Sequence, residues 1–197
     1  MTTTSVTSKI TKANSSVTAT KRYHPALISL HWLVALAIFA ALLFAGEEGE
    51  GGMSFSVGSL SPIGIHMILG ITTLVLLTIR LFVRWFTKHP EWASTGTPLL
   101  DIVGKLTHFG LYFFTYSITI TGIIMASQRG LFARVFGIGT AAARGFGRRG
   151  FSLGAFHGLS WALLFTLILL HVGAALYHQF IKKDNLLSRM WFGKQDA

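Results

Sequence analysis

Apolar residues run nearly unbroken through four stretches, about 27–46, 63–86, 102–126 and 154–181, with polar and charged residues gathered between them. A helix rises about 1.5 Å per residue, so roughly twenty residues cross the hydrocarbon layer of a bilayer, about 30 Å thick. The pattern predicts an all-α fold, an integral membrane four-helix bundle forming one domain over residues 23–191. Pro25 opens the first span, and Gly46 followed by Glu47, Glu48 and Glu50 closes it. That span does not read as a secretory signal, whose apolar core is about 7–15 residues long; this one is longer and His31 interrupts it. The midplanes are Leu, Ile, Phe and Ala, without the broken helices and central polar groups of a transporter. Residues 1–22 are Ser/Thr-rich, basic and free of acids, which predicts a disordered tail, and residues 192–197 form a second, short one.

With 51% hydrophobic and 12% charged residues, the composition agrees with a membrane protein. There is no cysteine, which excludes disulfides, iron–sulfur clusters and thioether-linked haem. The net charge of +10 sits in the loops, so a membrane lipid surface or an anionic substrate is the expected partner, and no nucleic acid. Charge also sets the orientation. Twelve of the 17 Lys and Arg residues lie in the two tails and around the second loop, which puts both termini in the cytoplasm. The other five, Arg129, Arg134, Arg144, Arg148 and Arg149, crowd the third loop on the side that should be poor in cations, with no acid among them. Such a loop is either a neutral accident of its length or a positive field outside the membrane that draws in an anion or an acidic partner.

The last span carries the candidate chemistry. His157, His171 and His178 are spaced 14 and then 7 residues apart. Fourteen residues turn a helix to within about 40° of four full turns and rise about 21 Å, so the imidazoles share one drifting stripe with His157 and His171 near opposite membrane faces. Ionisable groups inside a bilayer point to function, and one imidazole at each level suits two stacked haems. Depth suggests the partners: His66, early in the inward-running second span, pairs with His157 for an outer haem, and His31, early in the first, pairs with His171 for an inner one. His108 and His178 compete for the inner iron on spacing alone. Two imidazoles on one iron leave no open position, so such a haem moves electrons and does not bind oxygen. Gly70, one turn from His66, leaves room beside the helix for something flat. Arg80, 14 residues after His66, reaches the inner level and is a candidate partner for a haem propionate, whereas Arg84 snorkels to headgroups.

The stretches ISLHWLVALAI, IHMILGITTLVLLTIRLFVRW, THFGLYFFTYSITITGIIMASQRG and FHGLSWALLF to LLHVGAALYH, ending in KDNLLSRMW, resemble the bacterial cytochrome b561 family of four-helix dihaem, quinone-linked cytochromes, most closely its superoxide-oxidising members. The resemblance covers most of residues 23–191 and implies two haem b groups, with His31 and His171 as one axial pair and His66 and His157 as the other. It also implies a ubiquinone pocket near the cytoplasmic side, faced by His178, with Lys105 the nearby cation. Two activities follow. In one, superoxide is oxidised outside, guided by the loop arginines, and ubiquinone is the electron acceptor. In the other, the chain is an electron relay, the membrane anchor of a dehydrogenase or hydrogenase or the partner of a soluble cytochrome, and the arginines dock an acidic donor protein.

Overall fold

Proline starts three of the long helices. Pro25, Pro62 and Pro98 each stand in the first turn, where an amide N–H would have no partner and the ring's fixed φ already suits a helix. Side chains hold the orphan amides behind them: Ser61 Oγ accepts from Gly64 N at 3.3 Å and Ser152 Oγ from Ala155 N at 3.1 Å. The computed structural model describes residues 22–45, 61–88, 90, 97–138 and 152–192. Within them run α1 (Pro25–Leu43), α2 (Pro62–Phe86), α3 (Pro98–Gln128), the short α4 (Leu131–Phe136) and α5 (Leu153–Tyr177). A π turn (His178–Lys182) and a 3-10 turn (Leu186–Met190) follow α5. Four of these segments are long and apolar enough to cross a membrane, the last counted through Lys182. The fold is an all-α membrane bundle.

The third helix begins at Pro98 rather than near 102, because Thr97-Pro98 and an acid in the first turn, Asp101, already make a helix start. The stretch after Gln128, which reads as loop, contains α4. Gly130 (φ 64°) and Gly137 (φ 68°) bound it in the left-handed region that glycine enters without a Cβ clash.

α1 packs on α2, α2 on α3, and α3 on α5, whereas α5 makes no comparable backbone approach to α1 or α2. A gap therefore runs down the bundle between α5 and the first two helices. Few large side chains are buried; Leu36, Phe82, Trp85, Phe109 and Leu169 point outward, as lipid requires of a helix apolar on every side. The buried threonine hydroxyls satisfy themselves on their own helices. Thr73, Thr115, Thr119 and Thr121 donate to the carbonyls of Leu69, Leu111, Thr115 and Ser117 at 2.6–2.8 Å. At the end where α1 starts and α5 finishes, the chain folds back: Trp32 Nε1 donates to Met190 O at 2.9 Å and stands edge-on to Trp191.

Candidate functional site: two histidine pairs across a gap

The pairs sit across the helices that stand apart. His66 on α2 faces His157 on α5 with ring centroids 6.5 Å apart and planes at 65°. At the other end, His31 on α1 faces His171 on α5 at 6.1 Å and 69°. A metal–imidazole bond of about 2.0–2.1 Å, added to roughly 1.1 Å from nitrogen to ring centre on each side, separates two centroids by about 6.3 Å when one ion stands between them. Both pairs have that separation. His108, by contrast, packs on His171 at 4.9 Å.

Hydrogen bonds decide which nitrogens of the first pair are available. His66 Nδ1 lies 2.9 Å from Ala41 O, and a carbonyl can only accept, so the proton is on Nδ1. His157 Nδ1 lies 3.1 Å from Thr121 Oγ1, whose single proton already goes to Ser117 O at 2.7 Å. With that proton kept on its own helix, where Ile118 O at 3.1 Å is a second acceptor, Thr121 accepts from His157 Nδ1. Each ring keeps Nε2 with its lone pair, the arrangement of a ligating histidine anchored through its other nitrogen.

Around this pair lies a largely apolar pocket with about 670 Å³ of empty space, its open mouth included, lined by Met67, Gly70, Gly122, Phe132 and Leu164 among others. A Cβ on Gly70 would meet nothing within 4 Å, and one on Gly122 would press on His157 Cε1 at 3.2 Å. The slot is open beside one glycine and closed around the imidazole by the other. Among the described residues no three His, Asp or Glu side chains gather as a self-contained metal site. A metal held by these pairs must bring further ligands of its own, as haem iron does. The residues fit haem.

The remaining candidates fall at the two ends. Arg80 lies within electrostatic reach of His31, His108 and His171, donates to the Tyr112 hydroxyl, and stands 5.6 Å from that ring's centroid. Its Nε is buried without a partner among the described residues, a cation with one donor to spare at the level of the second pair. His178 is buried, with Nδ1 2.5 Å from Asp184 Oδ2. Lys105 is exposed on α3. Arg129 and Arg134 are exposed at the opposite end, where Arg134 Nη2 donates to Arg129 O at 2.9 Å, two residues from the pocket-lining Phe132. Arg144, Arg148 and Arg149 lie outside the described residues.

The sequence reading missed the supports Tyr112, Thr121 and Asp184. Thr121 carried one signal, a hydroxyl in an apolar span at the depth of His157.

The family model of prokaryotic cytochrome b561 matches residues 22–193. The chain belongs to that family. As a cytochrome b561 it is a multi-pass membrane electron-transfer protein of a family that binds haem b. Among its relatives, the probable superoxide oxidase CybB of Yersinia pestis is 29% identical over 86% of this chain and 96% of its own length. Cytochrome b561 homolog 2 of Escherichia coli (strain K12) is 28% identical over 90% and 94% of the two chains. Cytochrome b562 of Cereibacter sphaeroides is 29% identical over 83% and 90%.

Proposed function

We propose that this cytochrome b561 is a superoxide:ubiquinone oxidoreductase of the bacterial inner membrane, with both termini in the cytoplasm and two haem b groups. His66 and His157 would hold the outer haem iron, and His31 and His171 the inner one. The observation that carries this reading is the spacing of the two imidazole pairs, 6.5 and 6.1 Å between centroids across a gap in the helix packing. Bound haem supplies a reversible one-electron couple at each level.

This chain's own residues do the rest. Ala41 O and Thr121 Oγ1 hold the outer imidazoles with Nε2 available. The apolar wall formed by Met67, Phe132 and Leu164 keeps water from that slot. Arg80 offers its unpartnered Nε to an inner propionate. Arg129 and Arg134, near the mouth of the outer slot, set a positive field for a small anion, and Arg144, Arg148 and Arg149 add to the loop's charge. Superoxide needs only such a field and an accessible haem edge, and a relative named as a probable superoxide oxidase supports the choice. At the cytoplasmic end His178, with Lys105 as the nearby cation, would serve the ubiquinone pocket.

The relay reading has its own support, since other relatives of similar identity are named only as cytochromes. The two readings separate in one optical experiment on purified, haem-loaded protein. Superoxide is generated enzymatically while the reduced b-haem band is followed before and after adding ubiquinone. Reduction by superoxide and reoxidation by quinone are the expected result. Haems that stay oxidised in superoxide would leave the relay awaiting a protein donor.

A further inference from the structure

The chain after α5 is irregular in three ways at once. The α-helix widens into a π turn at His178, and both Lys183 (φ 55°) and Asn185 (φ 54°) take the left-handed conformation that side chains other than glycine disfavour. All three irregularities bear on one residue. Asp184 sits between the two left-handed positions, its N–H bonded to His178 O at 3.4 Å and its Oδ1 to Leu186 N at 3.3 Å. Its Oδ2 meets His178 Nδ1 at 2.5 Å. The side chain of His178 is 10% exposed and that of Asp184 39%, so the dyad runs from the bundle interior to its surface.

We propose that Asp184 is the positioning residue for His178 in quinone reduction, a role that rests on the ubiquinone reading above. A carboxylate only accepts, so Asp184 fixes the proton of His178 on Nδ1 and leaves Nε2 as the ring nitrogen that can deliver a proton to a quinone oxygen. The balance is simple. Two superoxide anions become two dioxygen molecules and release two electrons; the quinone takes both electrons and two protons and becomes the quinol. For a proton delivered by His178, the Nε2–H bond breaks as the quinol O–H bond forms. The Nδ1–H stays on the ring, hydrogen-bonded to Asp184, so the nitrogen to be refilled is Nε2, which takes up its next proton from water on the quinone side. Without the carboxylate the ring can rotate or shift tautomer, and Nε2 is no longer held in place.

Among the described residues, the titratable and charged groups around His178 are Asp184, Tyr177 edge-on beside it, Lys182 and Lys183 on the turn, and Arg189 on the 3-10 turn packed against that turn. The test uses full-length, haem-loaded protein reduced with dithionite, then mixed with a short-tail ubiquinone across a pH series. Asp184→Asn should slow reoxidation roughly tenfold or more and alter its pH profile, while haem content and thermal midpoint stay put. Asp184→Glu should recover most of the rate, and in a His178→Gln background Asp184→Asn should add nothing. Wild-type rate and pH profile in Asp184→Asn would overturn the proposal. So would a slow Asp184→Asn whose loss is matched by lost haem or stability, or is additive with His178→Gln. If quinone fails to reoxidise the wild-type protein, the ubiquinone reading itself falls.

Discussion

His108 lies closer to His171 than His31 does, 4.9 Å between ring centroids against 6.1 Å. The shorter distance is a packing contact with no room for an ion, whereas the longer one matches two metal–imidazole bonds end to end. Three histidines thus meet at one level, and only one pair has a ligand's spacing. His31→Leu should lose the inner haem, lowering haem content from two to about one per chain in a pyridine haemochrome assay. His108→Leu should keep both haems and shift only the potential of the inner one, because a ring beside a ligand tunes the metal without holding it. Two haems in His31→Leu and one in His108→Leu would reverse the assignment.

Thr121 touches the proposed outer haem site through one hydrogen bond to His157. Thr121→Val keeps the shape of the side chain and removes the acceptor, freeing the imidazole to turn. Losing such a support typically costs about 10–100-fold in metal affinity. The expected result is faster loss of one haem to apomyoglobin, with the other unaffected, and recovery in Thr121→Ser. Equal haem retention in wild type and Thr121→Val would show that the hydroxyl orients nothing.

Much of this arrangement is legible in the sequence because depth in a membrane is linear in residue number. His157 and His171 are 14 residues apart on one helix, and the up-down order of the spans brings His66 to one level and His31 to the other. Azimuth is different. A helix as uniformly apolar as α1 carries no polar stripe to fix which face turns inward, so the contest between His31 and His108 for the inner position stays open until the helices are packed. The Asp184 contact was hidden for another reason. It depends on a π turn and on left-handed Lys183 and Asn185, none of which has the glycine that would announce a bend. Gly130 and Gly137 did carry such a signal for α4, but in a stretch so rich in Gly and Arg that two glycines did not stand out.

Gly70 tests the slot as a space. Its Cβ position is open for at least 4 Å, so Gly70→Ala should be tolerated and add slightly to helix propensity. Gly70→Leu would project a branched side chain into the pocket beside His66. Because no backbone contact depends on that volume, the bundle should still insert and fold, with the outer haem reduced or missing and the inner one present. The measurement is haem content against circular dichroism at matched protein concentration. Full haem in Gly70→Leu would place the outer group elsewhere than along this glycine.

Arg129 and Arg134 test whether the outer field acts on a small anion. Both are exposed, joined by the bond from Arg134 Nη2 to Arg129 O, and Arg134 is two residues from Phe132 in the pocket wall. Guidance by charge changes association rates by about 10–10³-fold for a whole charged surface, so removing two of five loop charges should slow superoxide-driven haem reduction roughly threefold to tenfold. Arg129→Gln/Arg134→Gln should also flatten the dependence on ionic strength, since salt screens over about 10 Å at 0.1 M. Reduction by a neutral small-molecule donor serves as the control, because a field does not steer an uncharged molecule. If both donors slow equally, the substitutions have damaged the haem site and the field explains nothing. If neither slows, the pair does not steer the small anion, and binding of an acidic donor protein decides the rest: tighter binding to wild type than to the double variant marks a docking patch, and equal binding a neutral loop.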